Sequence, residues 1–256
     1  MFTPYEVQLN YITVAKNKTA AKWYKILALA VLAGAFIAIG AAAATAASAT
    51  ATNANAVKAA VFPVGLILVV ICGAELFTGN CLLIAPAIGR EIKPLPLLKN
   101  LSLSYIGNFL GGVLIAVLVV YSGVQTGAVE QSCINAAAVK CNMNFGEALL
   151  RGILCNMLVC LAVLASMSAK NAHGKIIALY MPIFAFVICG FEHSVANMYY
   201  LTAGLLSGHA EGLNVGNTIV HCLIPSTLGN IIGGAAISLS FYFLFRPKKD
   251  TNDTEN

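Results

Sequence analysis

Two stretches decide the fold: Val70-Ile-Cys-Gly-Ala-Glu-Leu-Phe-Thr-Gly-Asn80 and Val187-Ile-Cys-Gly-Phe-Glu-His-Ser-Val-Ala-Asn197. Laid over one another they agree at six of eleven positions: Val70/Val187, Ile71/Ile188, Cys72/Cys189, Gly73/Gly190, Glu75/Glu192 and Asn80/Asn197. A second echo, Gly107-Asn-Phe-Leu-Gly-Gly112 and Gly229-Asn-Ile-Ile-Gly-Gly234, follows in the same order at a similar separation, about 120 residues. Chance does not produce two ordered matches, so the chain is an internal duplication. In each copy a Glu and an Asn interrupt an otherwise apolar run.

The surroundings of those runs say what solvent they meet. Of 256 residues, 59% are hydrophobic and only 10% charged, against about a quarter charged in soluble chains. Water does not tolerate that surface and lipid does, so a membrane bundle is expected, with room for six spans. The spans are placed at Ile26–Thr50, Val57–Ala87 with a break at Glu75–Asn80, Leu101–Tyr121, Ala148–Ser168, a fifth from Ile176 broken at Glu192–Asn197, and Thr218–Phe245. The first run is read as a retained span rather than a cleaved signal, because it follows a long polar lead and is too long for a signal.

Three spans per half reverse the second half, so the repeats, about 26–122 and 146–245, are expected to be inverted. Inverted repeats bring interrupted middle helices together near the midplane, where transport sites form. Irregular backbone at that depth survives only where it lines a cavity or is enclosed in protein. Twelve of the fifteen Lys and Arg fall in the arm, the second and fourth connections and the tail, leaving Lys58, Lys140 and Arg151 on the other side. The positive-inside rule then puts both termini in the cytoplasm. It also accounts for the +5 net charge with no nucleic-acid partner. The arm, residues 1–25, is expected to lie at the inner interface with Trp23 and Tyr24 as anchors, and residues 246–256 form a cytoplasmic tail.

Within the breaks, His193 is an ionisable group at membrane depth, a functional candidate that needs a partner. It is expected to face the solute, bonding or protonating a small anion, with Asn197 on the same helix face. Glu192 points elsewhere and is expected to pair with a base. Thr78 offers a hydroxyl beside the flexible Gly79, to a solute or to a freed carbonyl. Lys140 stands alone on what reads as an outer loop. Gly107/Gly111 and Gly229/Gly233 have the spacing that lets helices approach closely, and Asn108 and Asn230 are expected to bond neighbouring helices. His173 and His209 are expected to be exposed. The histidines and cysteines show no metal spacing, and no phosphate-binding or dinucleotide motif occurs, so no metal, cofactor or catalytic set is expected. Cys133 and Cys141 flank the outer loop and are read mainly as free thiols.

Gly190-Phe-Glu-His-Ser-Val-Ala-Asn197 and Gly73-Ala-Glu-Leu-Phe-Thr-Gly-Asn80 resemble the broken fifth and second helices of the formate/nitrite transporter family, which includes hydrosulfide channels. The resemblance covers about residues 5 to 245. It implies an all-α, aquaporin-like fold of six membrane helices, five copies in a ring and one pore per subunit in the cytoplasmic membrane. It also implies that His193 is the central pore histidine and Thr78 the threonine beside it. Lys140, Glu192, Asn156 and Asn197 would surround that histidine, with Glu75 and Asn80 the matching residues of the first break. Leu66 and Phe77 would form one apolar constriction and Phe186 the other.

The expected function is therefore a channel or transporter for small monovalent anions of the formate/nitrite class. Hydrosulfide is an alternative within the same family, and a neutral-solute channel of the water or glycerol class is an alternative outside it. The latter usually presents paired Asn-Pro-Ala turns, which this chain lacks.

Overall fold

The computed structural model describes residues 1–245; the tail expected at 246–256 lies outside them. The described residues are helical, with no strand. Helix α1 (Pro4–Ala20) starts at a capping box in which Thr3 and Glu6 satisfy each other's backbone N–H, with Pro4 in its first turn. The first span is α2 (Trp23–Ser48). The second comprises α3 (Ala54–Val61), α4 (Val64–Ile71), a break, α5 (Phe77–Asn80), a 3₁₀ turn at Cys81–Leu83, and α6 (Ile84–Ile88). Pro63 separates α3 from α4, since it has no N–H to give to the ladder.

The third span is α7 (Pro94–Tyr121), followed by α8 (Ala128–Cys141) and the fourth span, α9 (Phe145–Ser168), capped by Asn144. The fifth is α10 (Ala172–Ile188), a break, and α11 (Ser194–Ser207). The sixth runs through α12 (Val215–Asn217), a π-helical turn at Thr218–Leu223 and α13 (Ile224–Phe245). Five of these segments are long and apolar enough to cross a bilayer unaided, and the fifth span is divided by its break. Ile106, Leu110, Leu114 and Leu118 make one exposed apolar stripe along α7, a surface suited to lipid and not to water.

The two halves are built alike and interlock. In each half the outer spans pair, α2 with α7 and α9 with α13. Glycine sets how closely: a side chain at Gly111 would strike the Val31 carbonyl, and one at Gly233 would strike that of Ile153. Each segment after a break crosses to the other half, α5 against α9 and α11 against α7. One core of Leu66, Phe77, Phe186, Val195 and Tyr199 therefore draws on both repeats.

One expectation is corrected here. The connection read as an outer loop is helix α8, with Cys133 and Cys141 buried as free thiols, Cys141 beside the Thr218 hydroxyl. The arm packs on the bundle. Val7, Tyr11 and Ala15 of α1 are buried against Leu82, Leu83, Leu97 and Leu164, while Trp23 and Tyr24 remain exposed. The helices α1 and α8 occupy equivalent places in the duplication, Lys18 and Lys140 standing 122 positions apart like Asn108 and Asn230.

Candidate functional site

Each break begins with the same stop signal. Gly73 and Gly190 adopt φ of 67° and 69°, a left-handed conformation that a side chain would strain. That turn lets Ala74 N–H reach Val69 O at 2.9 Å and Phe191 N–H reach Phe186 O at 3.0 Å, closing α4 and α10 with Schellman-type bonds. The chain then runs extended to the next helix, with freed backbone groups at membrane depth. Asn108 takes two of them in the first half, donating to Glu75 O (3.0 Å) and accepting from Phe77 N–H (2.9 Å), and ties them to α2 by donating also to Ala30 O (2.7 Å). Asn230 does the same in the second, donating to Glu192 O (2.9 Å), accepting from Ser194 N–H (2.8 Å), and donating also to Gly152 O of α9 (2.8 Å).

The acidic residues of the breaks are likewise matched. Glu75 takes the Lys18 ammonium at 2.9 Å and the Asn80 amide at 2.6 Å, and Asn80 also reaches Asn100 and Ser104. Glu192 takes Lys140 at 2.8 Å on each oxygen and the Asn197 amide at 2.8 Å, and Asn197 also reaches Cys222 and Ser226. Lys140 is therefore not a solvated loop lysine: its side chain is 15% exposed and bound to Glu192. Burial alone would lower the Lys140 pKa, but the adjoining carboxylate outweighs it and holds the ammonium above the ordinary lysine range. Lys18 and Cys222 do not stand out in the sequence, and neither carries a signal apart from its place in the repeat. Asn197 spends its amide on Glu192 instead of on His193, correcting the expected side-chain contact.

The duplication is broken where the halves meet. His193 stands where the first half has Leu76, Thr78 where the second has Val195, and Asn156 where the first has Gly34. His193 Nε2 and Thr78 Oγ1 are 2.9 Å apart, with 3% and 0% of the residues exposed. His193 also caps α11, its Nδ1 accepting the Ala196 N–H at 3.0 Å. With Nδ1 used as an acceptor, the neutral ring carries its proton on Nε2 and donates it to Thr78. The Thr78 hydroxyl then keeps its own proton to give. Asn156 fixes the backbone of this point, donating to Thr78 O (3.1 Å) and Asn230 O (2.6 Å). Ser194 Oγ, Asn156 Oδ1 and Asn197 Oδ1 are buried nearby with no protein partner.

Two cavities lie near this pair, one reaching Gly79 beside Thr78 and the other reaching His193. One, about 540 Å³, is lined by Lys18, Lys25, Lys175, Glu75, Leu66, Gly79 and others. The second, about 400 Å³, is lined by Lys58, Lys140, Arg151, Glu192, Phe62, Phe186 and His193 among others. Phe186 stacks on the His193 ring (5.9 Å between centroids) and meets Phe62 edge-on (5.6 Å). Phe77 lines neither cavity; its ring packs against Tyr105 at 4.9 Å. Phe62 is indistinguishable from its apolar neighbours in sequence. His173 and His209 are exposed. Among the described residues no group of His, Cys, Asp and Glu is arranged to hold a metal.

The sequence and the fold match proteins of known kind. The family model for formate/nitrite transporters matches residues 5–244. The chain belongs to the formate/nitrite transporter family. It is a membrane channel or transporter, not an enzyme. Across 98% of this chain and 96% of its own, an uncharacterized transporter, YrhG of Bacillus subtilis, is 37% identical. A probable formate transporter of Methanothermobacter thermautotrophicus is also 37% identical, over 90% of this chain and 92% of its own. A solved pentameric formate channel with formate bound superposes with a TM-score of 0.80 at 33% identity, covering 87% of this chain and 96% of that one.

Proposed function

We propose that this family member conducts small monovalent anions, formate first among them, across the cytoplasmic membrane as a homopentamer with a passage in each subunit. The observation that carries the reading is the His193–Thr78 pair, buried between two cavities that each present a lysine–glutamate pair. Formate as the substrate and five copies as the assembly are supported by the solved relative. Nitrite and hydrosulfide, also small monovalent bases, fit the same chemistry. The distribution of Lys and Arg supports an orientation in which α1 and the larger cavity face the cytoplasm.

An anion leaving water for an apolar constriction loses most of its hydration, a large cost unless charge or hydrogen bonds replace it. Lys140 and Lys18 are each neutralised by a glutamate, so neither traps the ion at its end of the path. Phe62, Phe186 and Leu66 narrow the path. At the centre the Thr78 hydroxyl donates to the anion while His193 Nε2–H supports that oxygen, and Glu192, Asn197, Asn156, Glu75 and Asn80 hold the breaks in place. The imidazole acts in this reading as a hydrogen-bond donor: protonating Nδ1 would displace the Ala196 N–H and uncap α11.

Uptake of formate, nitrite and hydrosulfide into proteoliposomes, parent beside His193→Phe, tests this. Loss of flux in the variant is expected. Equal flux in the two proteins between pH 5 and 8, or glycerol flux in place of anion flux, would remove the proposal. An alkalinisation of the vesicle exterior that keeps step with uptake in the parent would instead show that a proton travels with the anion.

A further inference from the structure

The duplicated frame carries a second pair of lysines that the Lys–Glu–Asn networks do not use. Counting back from the matched breaks without a gap, Lys58 of α3 lies over Lys175 of α10, 117 positions on. Inversion sends them to opposite mouths. Lys58 lines the 400 Å³ cavity and Lys175 the 540 Å³ cavity. We infer that Lys58 and Lys175 are docking residues, each holding a small oxyanion such as a carboxylate at one mouth before it enters the apolar constriction. The inference rests on the anion-conducting reading above.

The other charges of the cavities show why these two are suited to the task. In the 400 Å³ cavity, Lys140 is committed to both oxygens of Glu192, and Arg151 to Glu147 and the Gly190 carbonyl. Lys58 makes no ion pair among the described residues, so it is the cation whose charge no carboxylate cancels. Asn55, Ser132 and Asn135 line the same cavity and supply further donors. Lys58 also stands one helical turn before Phe62, whose N–H bonds the Lys58 carbonyl at 2.9 Å. One face of the chain thus presents the free ammonium and then the aromatic ring of the constriction, ahead of Phe186 and His193.

The 540 Å³ cavity repeats the pattern. Lys18 is committed to Glu75, while Lys25 and Lys175 make no ion pair among the described residues. Lys25 has no lysine counterpart in the second half, where Glu147 stands. An uncancelled cation in a cleft with apolar walls raises the local concentration of anions and speeds their capture, an effect that added salt screens over about 8–10 Å. A lysine paired with a buried glutamate contributes far less of that field.

The test uses full-length protein in vesicles of known orientation, with formate as the probe, comparing the parent with Lys58→Gln, Lys175→Gln and Lys58→Arg. For Lys58→Gln the half-saturating formate concentration is expected to rise about threefold to tenfold for flux entering at the Lys58 mouth. Flux entering at the other mouth and the maximal rate should stay within about twofold, and the fall of flux with ionic strength should flatten. Lys175→Gln should show the mirror result, and Lys58→Arg should behave as the parent. Unchanged half-saturation and salt dependence in Lys58→Gln, with the parent conducting formate, would overturn the docking role alone. A parent that conducts none of formate, nitrite or hydrosulfide would overturn the anion reading and this inference together.

Discussion

His193 and Thr78 are 115 positions apart in the chain and 2.9 Å apart at the centre of the molecule. The contact exists because α5 crosses to the second half and α11 to the first, so that each break delivers one polar group where the other has a hydrocarbon. At His193 the first repeat has Leu76, and at Thr78 the second has Val195. The frame is symmetric and its centre is not.

Thr78→Val removes the hydroxyl while nearly preserving shape. It leaves the His193 Nε2–H buried without an acceptor, at about 1–3 kcal/mol. It also removes the donor offered to the solute. Formate flux is expected to fall about tenfold or more, a change that about 1.4 kcal/mol at the barrier produces. Thr78→Ser keeps the hydroxyl and should retain most of the flux. Proteoliposome uptake measures both, and a valine variant as fast as the serine one would remove the hydroxyl from the mechanism.

The tautomer of His193 can be checked without any transport assay. Because Nδ1 accepts from Ala196 N–H at 3.0 Å, the neutral ring should carry its proton on Nε2. Nitrogen-15 spectra of the labelled side chain at neutral pH should therefore show a protonated Nε2 and a bare Nδ1. A spectrum with both nitrogens protonated would mean an imidazolium, with the α11 cap broken.

How much of this can be read from residues alone depends on whether a residue breaks a pattern. Glu75, Asn80, Glu192, His193 and Asn197 interrupt apolar runs, so membrane depth makes them conspicuous. The matched breaks place them face to face, and the family resemblance picks Leu66 and Phe186 from runs in which they look ordinary and adds Asn156 to the network. Lys18 is hidden for the opposite reason: it is one lysine in a basic arm, and only the docking of α1 brings it to Glu75. Lys140 looks solvated because the mixed composition of Ala128–Cys141 shows no clear helical period. The helix there is held by packing of Cys133, Ile134, Ala137 and Cys141. Phe62 differs from its neighbours only in the direction it faces, which a sequence without periodicity does not reveal.

The Lys140–Glu192 pair, 15% and 5% exposed, should be strongly coupled. Breaking a buried pair from one side leaves an uncompensated charge and typically costs about 3–5 kcal/mol, whereas removing both partners costs much less. Lys140→Met and Glu192→Gln are each expected to lower thermal stability in detergent more than the double variant does. The same relation should hold for Lys18 and Glu75 with a smaller coupling, since Lys18 is 23% exposed. Additive losses across the cycle, measured as shifts in the unfolding midpoint, would show that the two charges act independently.

Asn108 and Asn230 should be the most demanding positions of the frame. Each satisfies one carbonyl and one N–H of a helix break and ties them to a carbonyl of the neighbouring span, in a place where water cannot substitute. Replacing either by Ala leaves two backbone groups of the break unpaired and opens a small cavity. At about 1–3 kcal/mol for each orphaned group the loss reaches the lower end of the stability of an ordinary domain. Asp is nearly isosteric but has no amide, so it turns the two donations to carbonyls into repulsions and should fare no better. A leucine fills the space but leaves the same break groups unpaired, whereas a glutamine retains the donors at the wrong reach. The expected outcome for Asn108→Ala and Asn230→Ala is failure to yield stable assembled protein, judged by size-exclusion profile and unfolding midpoint. Because the two clamps are equivalent in geometry, the two variants should fail alike. A stable, conducting Asn230→Ala protein would mean that the second break holds its shape without the clamp.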